Sequence, residues 1–397
     1  MTSVSARVAR RQRVLLGVAY AFGRVFARFG RRVSWVVGAE EIAGMVVQVG
    51  AAVPGSLTIV RAQHRFYDDE YDLVLQIPGS RLEVWRRLYL GALALGWWSA
   101  RARGVVYIGA AGFLDSGDER AHEFSFLRRH RRAVVCCFTG GDIRSPELMA
   151  QEAERSGREN IGSILRKQGA PFDQPAYEAA RRTRAEVADR FANAIITARV
   201  DQLSYLTSPT EPFLYFYPDE RFIQSTSKFD DLSRIVVLHA PSNPTIKGTP
   251  VVRAVMGRLC TRYAHVEYRE LEGIPNSEVL GALDEAHIVL NQFYAQMPGV
   301  FGIEAMARAC VMVCSADPDI ETDLADARGA WIVAAPDDLE ARLSELLDAP
   351  QRLREQASRG LDWARGHASA SASAASLAAI LHRSAEEAQG SGRAGGA

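Results

Sequence analysis

Several loops in this chain carry residue types suited to a phosphorylated, hydroxyl-rich ligand. One runs His239-Ala-Pro-Ser242-Asn243-Pro-Thr-Ile-Lys247-Gly248, between an apolar strand-like run and a helix-like run. Small residues at a helix start expose backbone N–H groups, which bind anions. Lys247 adds a full positive charge and is one of only three lysines among 47 basic residues. An ammonium so placed offsets the charge that grows on a departing diphosphate. The plain alternative is an ordinary loop with a solvated lysine. Another loop runs Pro298-Gly299-Val300-Phe-Gly302-Ile-Glu304-Ala-Met-Ala307. The pattern predicts that Glu304 sits in the first turn of a helix, where the dipole favours its charge. A carboxylate there accepts two hydrogen bonds from a ribose diol. Gly299 allows close approach of backbone to sugar or phosphate.

The first half holds two weaker candidates. Gly38-Ala-Glu-Glu41 ends an apolar run and is expected to open a helix, a place for a phosphate or sugar contact. Thr139-Gly-Gly-Asp142-Ile-Arg144 follows another apolar run. Asp142 could orient a hydroxyl, and Arg144 could pair with phosphate or carboxylate. The alternative is a helix-capping aspartate and a solvated arginine.

These loops need strands behind them. Apolar runs at Val33–Val37, Leu57–Val60, Asp72–Ile77, Val105–Ile108, Ala133–Phe138 and Ala194–Thr197 alternate with helical stretches such as 40–53, 81–103, 118–130, 146–155 and 176–191. A break at Ser208-Pro-Thr-Glu-Pro212 is followed by the same alternation, with strands at Ile235–His239, Val266–Glu270, Ile288–Asn291, Val311–Cys314 and Trp331–Val333. Strands alternating with helices predict parallel sheets covered on both faces. The expected fold class is therefore α/β, with two Rossmann-like doubly wound domains facing across a cleft. The expected boundaries are a basic helix over 1–32, a first domain over 33–207, a second over 208–367, and an Ala/Ser-rich helix and disordered tail over 368–397. The aromatic cluster Phe213-Leu-Tyr-Phe-Tyr217 reads as interdomain packing. Ligands bind at the carboxyl ends of such sheets.

Composition narrows the classes. The 397 residues are 48% hydrophobic and 24% charged, which excludes wholesale disorder. Basic and acidic residues balance at 47 each, so nothing pulls the chain toward nucleic acid. Five cysteines are too few and odd in number for a secreted disulfide framework, and Cys310 and Cys314 have no nearby histidine pair, so no metal site is expected. No apolar run reaches the roughly 18 residues of a membrane span. The stretch Leu88–Trp98 reads as a buried helix. These features imply a cytoplasmic protein. Residues 1–32 carry eight arginines and no acid, with Leu15, Val18, Phe22, Val25, Phe26 and Phe29 at helical spacing. Such a helix either lies on an anionic membrane, making the protein peripheral on its inner face, or packs on the first sheet.

From Ile235 to Cys314, the chain resembles the donor-binding domain of GT-B glycosyltransferases, in particular the retaining, family-four-like (group 1) members. The resemblance lies in the order and spacing of the strand, the Lys247-Gly248 loop, the Gly273-Ile-Pro-Asn-Ser-Glu278 turn, the Ala286-His-Ile-Val strand and the Glu304-Ala-Met-Ala segment. Thr139-Gly-Gly-Asp142-Ile-Arg144 is similar to the family's strand-end motif facing the acceptor. The resemblance implies a nucleotide-diphosphate sugar as co-substrate, no metal and no other cofactor. It implies that Lys247, with the loop residues Ser242, Asn243 and Gly248 and the amides near Gly299 and Val300, holds the diphosphate. Glu304 would hold the ribose and Gln296 would contact the sugar. A glycan or lipid-linked acceptor of bacterial surface polysaccharide or glycoconjugate synthesis would enter past Gly38, Glu41, Asp142 and Arg144. Lys247, Glu304 and Asp142 are then the catalytic candidates. The chain departs from the family at three positions. Gln296 stands where the first of two glutamates is usual, Ser242 where an arginine is common, and Thr139 where a histidine is usual. The departures keep two other classes open. One is a nucleotide-sugar epimerase of the same fold, and the other a catalytically silent nucleotide-sugar-binding subunit.

Overall fold

The computed structural model describes residues 5–29, 31–64, 69–115, 117–223, 225–324 and 326–390. The strands of the first sheet are β1 (Trp35–Ala39), β2 (Leu57–Val60), β3 (Leu73–Val74), β4 (Gly104–Ile108), β5 (Ala133–Cys137) and β6 (Ala194–Ile196). They pair in parallel in the order β3-β2-β1-β4-β5-β6. Their near-continuous Val, Ile and Cys content fits a sheet buried on both faces, and every residue of β1, β4 and β5 is buried. The second sheet contains β7 (Ile235–His239), β8 (Val266–Glu270), β9 (Ile288–Leu290), β10 (Val311–Cys314) and β11 (Ile332–Val333). Its parallel order is β11-β10-β9-β7-β8. The order reverses between β1 and β4 in one sheet and between β7 and β9 in the other. Such a switch point opens a crevice at the carboxyl ends of the strands.

Two features differ from the sequence expectation. The Ala/Ser-rich end forms the expected helix, Ala370–Gly390, but does not stay with the second domain. It crosses back to the first domain, where Leu377, Ile380, Leu381 and Ala385 join the core of β1, β4 and β5. The first core is thus completed by residues far along the chain, and the disordered tail expected at the end of 368–397 lies, from 391 onward, outside the described residues. The stretch 81–103 is not one buried helix. A short turn at Glu83–Trp85 and a π-helical turn at Arg86–Leu90 lead into the helix Gly91–Ser99, and Leu82, Val84 and Trp85 stay exposed.

The helix Ala6–Val25 packs on Gly91–Ser99 through small residues. A Cβ at Gly96 would lie 2.4 Å from the Leu16 carbonyl oxygen, so only glycine permits this crossing. Leu16, Ala19 and Tyr20 are buried there. The interdomain strand-like segment works by alternation. Phe216 joins the first core, while Tyr215 and Tyr217 join the second. No helix of the described residues is long and apolar enough to cross a membrane.

Candidate active site

The second sheet's switch point places two loops side by side. The loop after β7 ends in the short helix Pro244–Lys247, stopped by Gly248 at φ 79°. The loop after β9 carries Asn291 and Gln292. The Lys247 ammonium donates to Gln292 Oε1, and the Gln292 amide in turn donates to the Met297 carbonyl. Gly299, at φ 67°, lies against that same amide, 3.6 Å from where its Cβ would be. Gly299 opens the helix Gly299–Ala307. An ammonium has three donors. Gln292 takes one, which leaves two for a ligand. Lys247, Gln292 and the start of that helix therefore converge where an anion would sit.

The first domain supplies the opposite wall. Arg144 Nη2 meets Asp201 Oδ2 at 2.5 Å, with both side chains less than a tenth exposed. The Asp201 carboxylate also accepts the Gln296 backbone N–H at 2.7 Å, across the domain boundary. Glu321, from the second domain, accepts the N–H groups of Arg199, Val200 and Asp201 at 3.3, 2.8 and 2.9 Å. Burial raises the Glu321 carboxyl above its usual range, against those N–H donors. A further helix of the first domain, Ile161–Gln168, reaches over the cleft. Ile161 and Leu165 pack with Ala295, Tyr294 and Ile246, and the Ile161 N–H donates to the Tyr294 carbonyl at 2.8 Å. That cover desolvates the neighbouring lysine. Burial pushes the Lys247 ammonium down to about 8, Asp201 draws it back up, and Arg144 lowers it.

Several predicted site residues have other employment. Asp142 folds back on its own turn, accepting N–H groups from Thr139, Gly140 and Ile143 at 2.7–3.1 Å. A carboxylate saturated by backbone donors is poorly placed to take a proton from an acceptor, so its catalytic and acceptor-binding assignment is corrected to a capping role. Arg144 is spent on Asp201, donating also to its carbonyl at 2.7 Å. It shapes the cleft instead of reaching an acceptor.

Glu41 does not open a helix, because Gly44 caps one that begins at Met45. Its oxygens are buried, and burial pushes the carboxyl up to about 7, with Tyr71 lowering and Asp69 raising it. Gly38 lies inside β1, paired with Ile59 and Tyr107, and not in a loop. A Cβ there would lie 2.1 Å from the Ile59 carbonyl oxygen. Gly38→Ala is therefore expected to cost about 1–3 kcal/mol or more through overpacking, read as an earlier urea midpoint. An unchanged midpoint with a raised acceptor KM would return Gly38 to the acceptor side.

The donor-side residues divide similarly. Asn243 caps its own short helix, its Oδ1 accepting from Thr245 and Ile246 at 3.1 and 3.4 Å. Ser242 is exposed beside it, and Gly248 is buried. The Gly299 N–H donates to the Tyr215 hydroxyl at 3.0 Å, and Val300 and Phe301 follow it in the first turn of the helix. Gln296 Oε1 accepts from the Asp317 N–H at 3.1 Å, which aims its NH2 group elsewhere. Glu304 sits in the second turn of its helix, not the first, so the dipole does little for its charge. It is 4% exposed and accepts from Asn276 Nδ2 at 2.9 Å. Burial pushes it up to about 7, against Asn276, Arg221 and Arg308. His239 is structural, held between the Leu290 carbonyl and the Thr249 hydroxyl at 2.7 and 2.8 Å.

Sequence reasoning missed Gln292, Glu321 and the covering helix. That helix has a legible start, a reciprocal cap between Asn160 and Ser163. Arg181 and Arg184 were also missed. They close on the Gly141 and Asp142 carbonyls of the first domain's turn.

Residues 241–379 match the family described as glycosyl transferase-like. No curated protein matches the chain by sequence. Among solved structures, HepE of Anabaena in complex with UDP is 12% identical with a TM-score of 0.58, over 88% of this chain and 99% of that one. Sucrose-phosphate synthase of Thermosynechococcus elongatus is 12% identical with a TM-score of 0.59, over 89% and 99%. WaaG, a glycosyltransferase involved in lipopolysaccharide biosynthesis, is 13% identical with a TM-score of 0.51, over 90% and 100%. At such identities the likeness establishes the fold. The two facing sheets have the GT-B arrangement, and the glycosyl transferase-like match covers the second domain and the first part of the C-terminal helix.

Proposed function

We propose that the protein moves a sugar from a nucleoside-diphosphate donor to a glycan or lipid-linked acceptor of bacterial surface polysaccharide or glycoconjugate synthesis. The anomeric configuration is retained, and no metal takes part. The observation that carries this reading is the convergence of Lys247, Gln292 and the Gly299–Ala307 helix start at the second sheet's switch point. The diphosphate lies there, against the ammonium and the amides of Val300 and Phe301. Glu304 and Asn276 meet the ribose, and the Gln296 NH2 group meets the sugar.

In the transfer, the bond from the anomeric carbon to the diphosphate oxygen breaks as the acceptor oxygen bonds on the same face. Lys247 and the helix start stabilise the charge left on the diphosphate. With Asp142 occupied by its own turn, the acceptor proton passes to the departing phosphate oxygen. The basic helix within residues 1–32 brings the chain to an anionic membrane, where a lipid-linked acceptor resides.

A thermal-shift panel of nucleotide sugars tests the donor assignment, because a bound donor raises the melting temperature by mass action. Nucleotide release that depends on added acceptor supports transfer. Isomerised free sugar with no acceptor would speak for epimerisation, and binding without turnover for a silent subunit. The Glu304 carboxyl predicts a second signature. Above pH 7 it is charged and accepts from the ribose hydroxyls, and below pH 7 it takes a proton and loses that capacity. Donor KM should therefore rise about 10-fold or more as pH falls through 7, the worth of a charged hydrogen bond. Glu304→Gln should remove that pH dependence and leave KM uniformly high.

A further inference from the structure

Among the described residues, every large hydrophobic side chain that stands exposed lies in one of two segments, between Val14 and Phe29 or between Ile77 and Trp85. Phe22, Val25 and Phe29 are 57%, 70% and 71% exposed, and Leu82 and Val84 are 60% and 63%. Residues 86–99, which directly follow the second segment, pack on the first. Gln12 Nε2 donates to the Leu88 carbonyl at 2.6 Å, and Phe26 lies against Trp97. An open groove of about 520 Å³ runs beside the first segment, lined by Val18, Phe22, Leu73, Leu90, Leu93 and Trp97, and another of about 560 Å³ is lined by Leu82, Val84, Trp85, Leu88 and Tyr89. An apolar surface of this kind marks a binding face.

The charge around it is one-sided. Arg10, Arg11, Arg13, Arg24, Arg81 and Arg87 are exposed and make no ion pair among the described residues. Residues 1–32 contain no acid, and the second segment contains only Glu83. Exposed apolar side chains in segments that also carry exposed arginines complement an anionic bilayer, whose headgroups take the charges while its acyl region takes the rings and aliphatics. A protein partner would need an acidic rim around an apolar centre, and a second copy would bring arginines against arginines.

We infer that the N-terminal helix and the Ile77–Trp85 segment form one membrane-docking face for an anionic bilayer, with the groove beside the N-terminal helix open to an acyl or isoprenoid chain. The inference deepens the membrane part of the proposed function and rests on it, not on the sugar chemistry. The second segment is the new element, since a basic helix alone would leave Leu82, Val84 and Trp85 idle.

Flotation of the full chain with vesicles of phosphatidylcholine and phosphatidylglycerol, or of phosphatidylcholine alone, tests this. The chain should float with the anionic vesicles and partition at least about 10-fold less onto neutral ones. The triple variant Leu82→Ser, Val84→Ser, Trp85→Ser should lose about 10-fold or more of the anionic partition. Its nucleotide-sugar thermal shift should be unchanged, which shows that it folds. If wild type floats and the triple variant floats equally, the two-segment face is overturned while membrane use of residues 1–32 stands. If neither floats, both fall, and the donor assignment is untouched. If sedimentation shows a dimer that the triple variant dissolves while flotation is unaltered, a second copy covers the face and the inference is overturned.

Discussion

Lys247→Ala should lower kcat by about 10²–10³-fold, the cost of removing one preorganised charge stabiliser from a site of developing negative charge. The loss should fall on kcat more than on donor KM, because the charge on the leaving diphosphate grows as the bond breaks. The wild-type pH profile should carry the same signature. Below about 8 the ammonium is charged, and above it the charge is progressively lost. kcat/KM reports the free enzyme. It should therefore decline as pH rises through about 8, and that limb should vanish in Lys247→Ala. Rates of acceptor-dependent nucleotide release between pH 6 and 10 measure both. If Lys247 merely props Gln292, the variant would raise KM or lower stability while keeping the alkaline limb.

Asp201→Ala should be the most destabilising single change in the cleft. It would leave the Arg144 guanidinium, 8% exposed, with only a backbone carbonyl, and would strip the Gln296 N–H of its acceptor. Breaking a buried pair from one side costs about 3–5 kcal/mol. Replacing both partners by apolar residues, as in Arg144→Met with Asp201→Leu, should cost less than the single change, since no buried charge is orphaned. The urea midpoint of each variant reads the difference. A single-mutant effect within about 0.5 kcal/mol would mean that the pair contributes nothing net. Loss of Asp201 also removes the negative charge that supports the Lys247 ammonium. The alkaline limb of kcat/KM should therefore move to lower pH in Asp201→Asn.

Strand placement was the most legible property of the chain. β7 coincides with its apolar run, because a doubly buried parallel strand leaves an uninterrupted Val/Ile signal. The partner of a helix was less legible. Leu377, Ile380 and Leu381 announce an apolar stripe, but nothing local says that it returns to cover β5, on the other domain. Carboxylates at strand ends were the hardest. Asp142 and Asp201 look alike in the sequence, yet one caps its own turn and the other joins two domains. The difference lies in which backbone N–H groups each loop turns toward it. Gln292 was passed over because an amide after a strand carries no charge signal, and its role appears only once Lys247 lies beside it. The boundary of one helix also moved Glu304 by a turn, which changed its electrostatics from dipole-assisted to burial-dominated.

The most direct measurement is a crystal structure of the protein soaked with a saturating nucleoside-diphosphate sugar drawn from the thermal-shift panel. Phosphate oxygens should lie about 2.7–3.2 Å from Lys247 Nζ and from the Val300 or Phe301 N–H, with the nucleoside turned toward Glu304 and Asn276. Density for the diphosphate on the first domain, or a crevice between β7 and β9 still empty at saturation, would contradict the account.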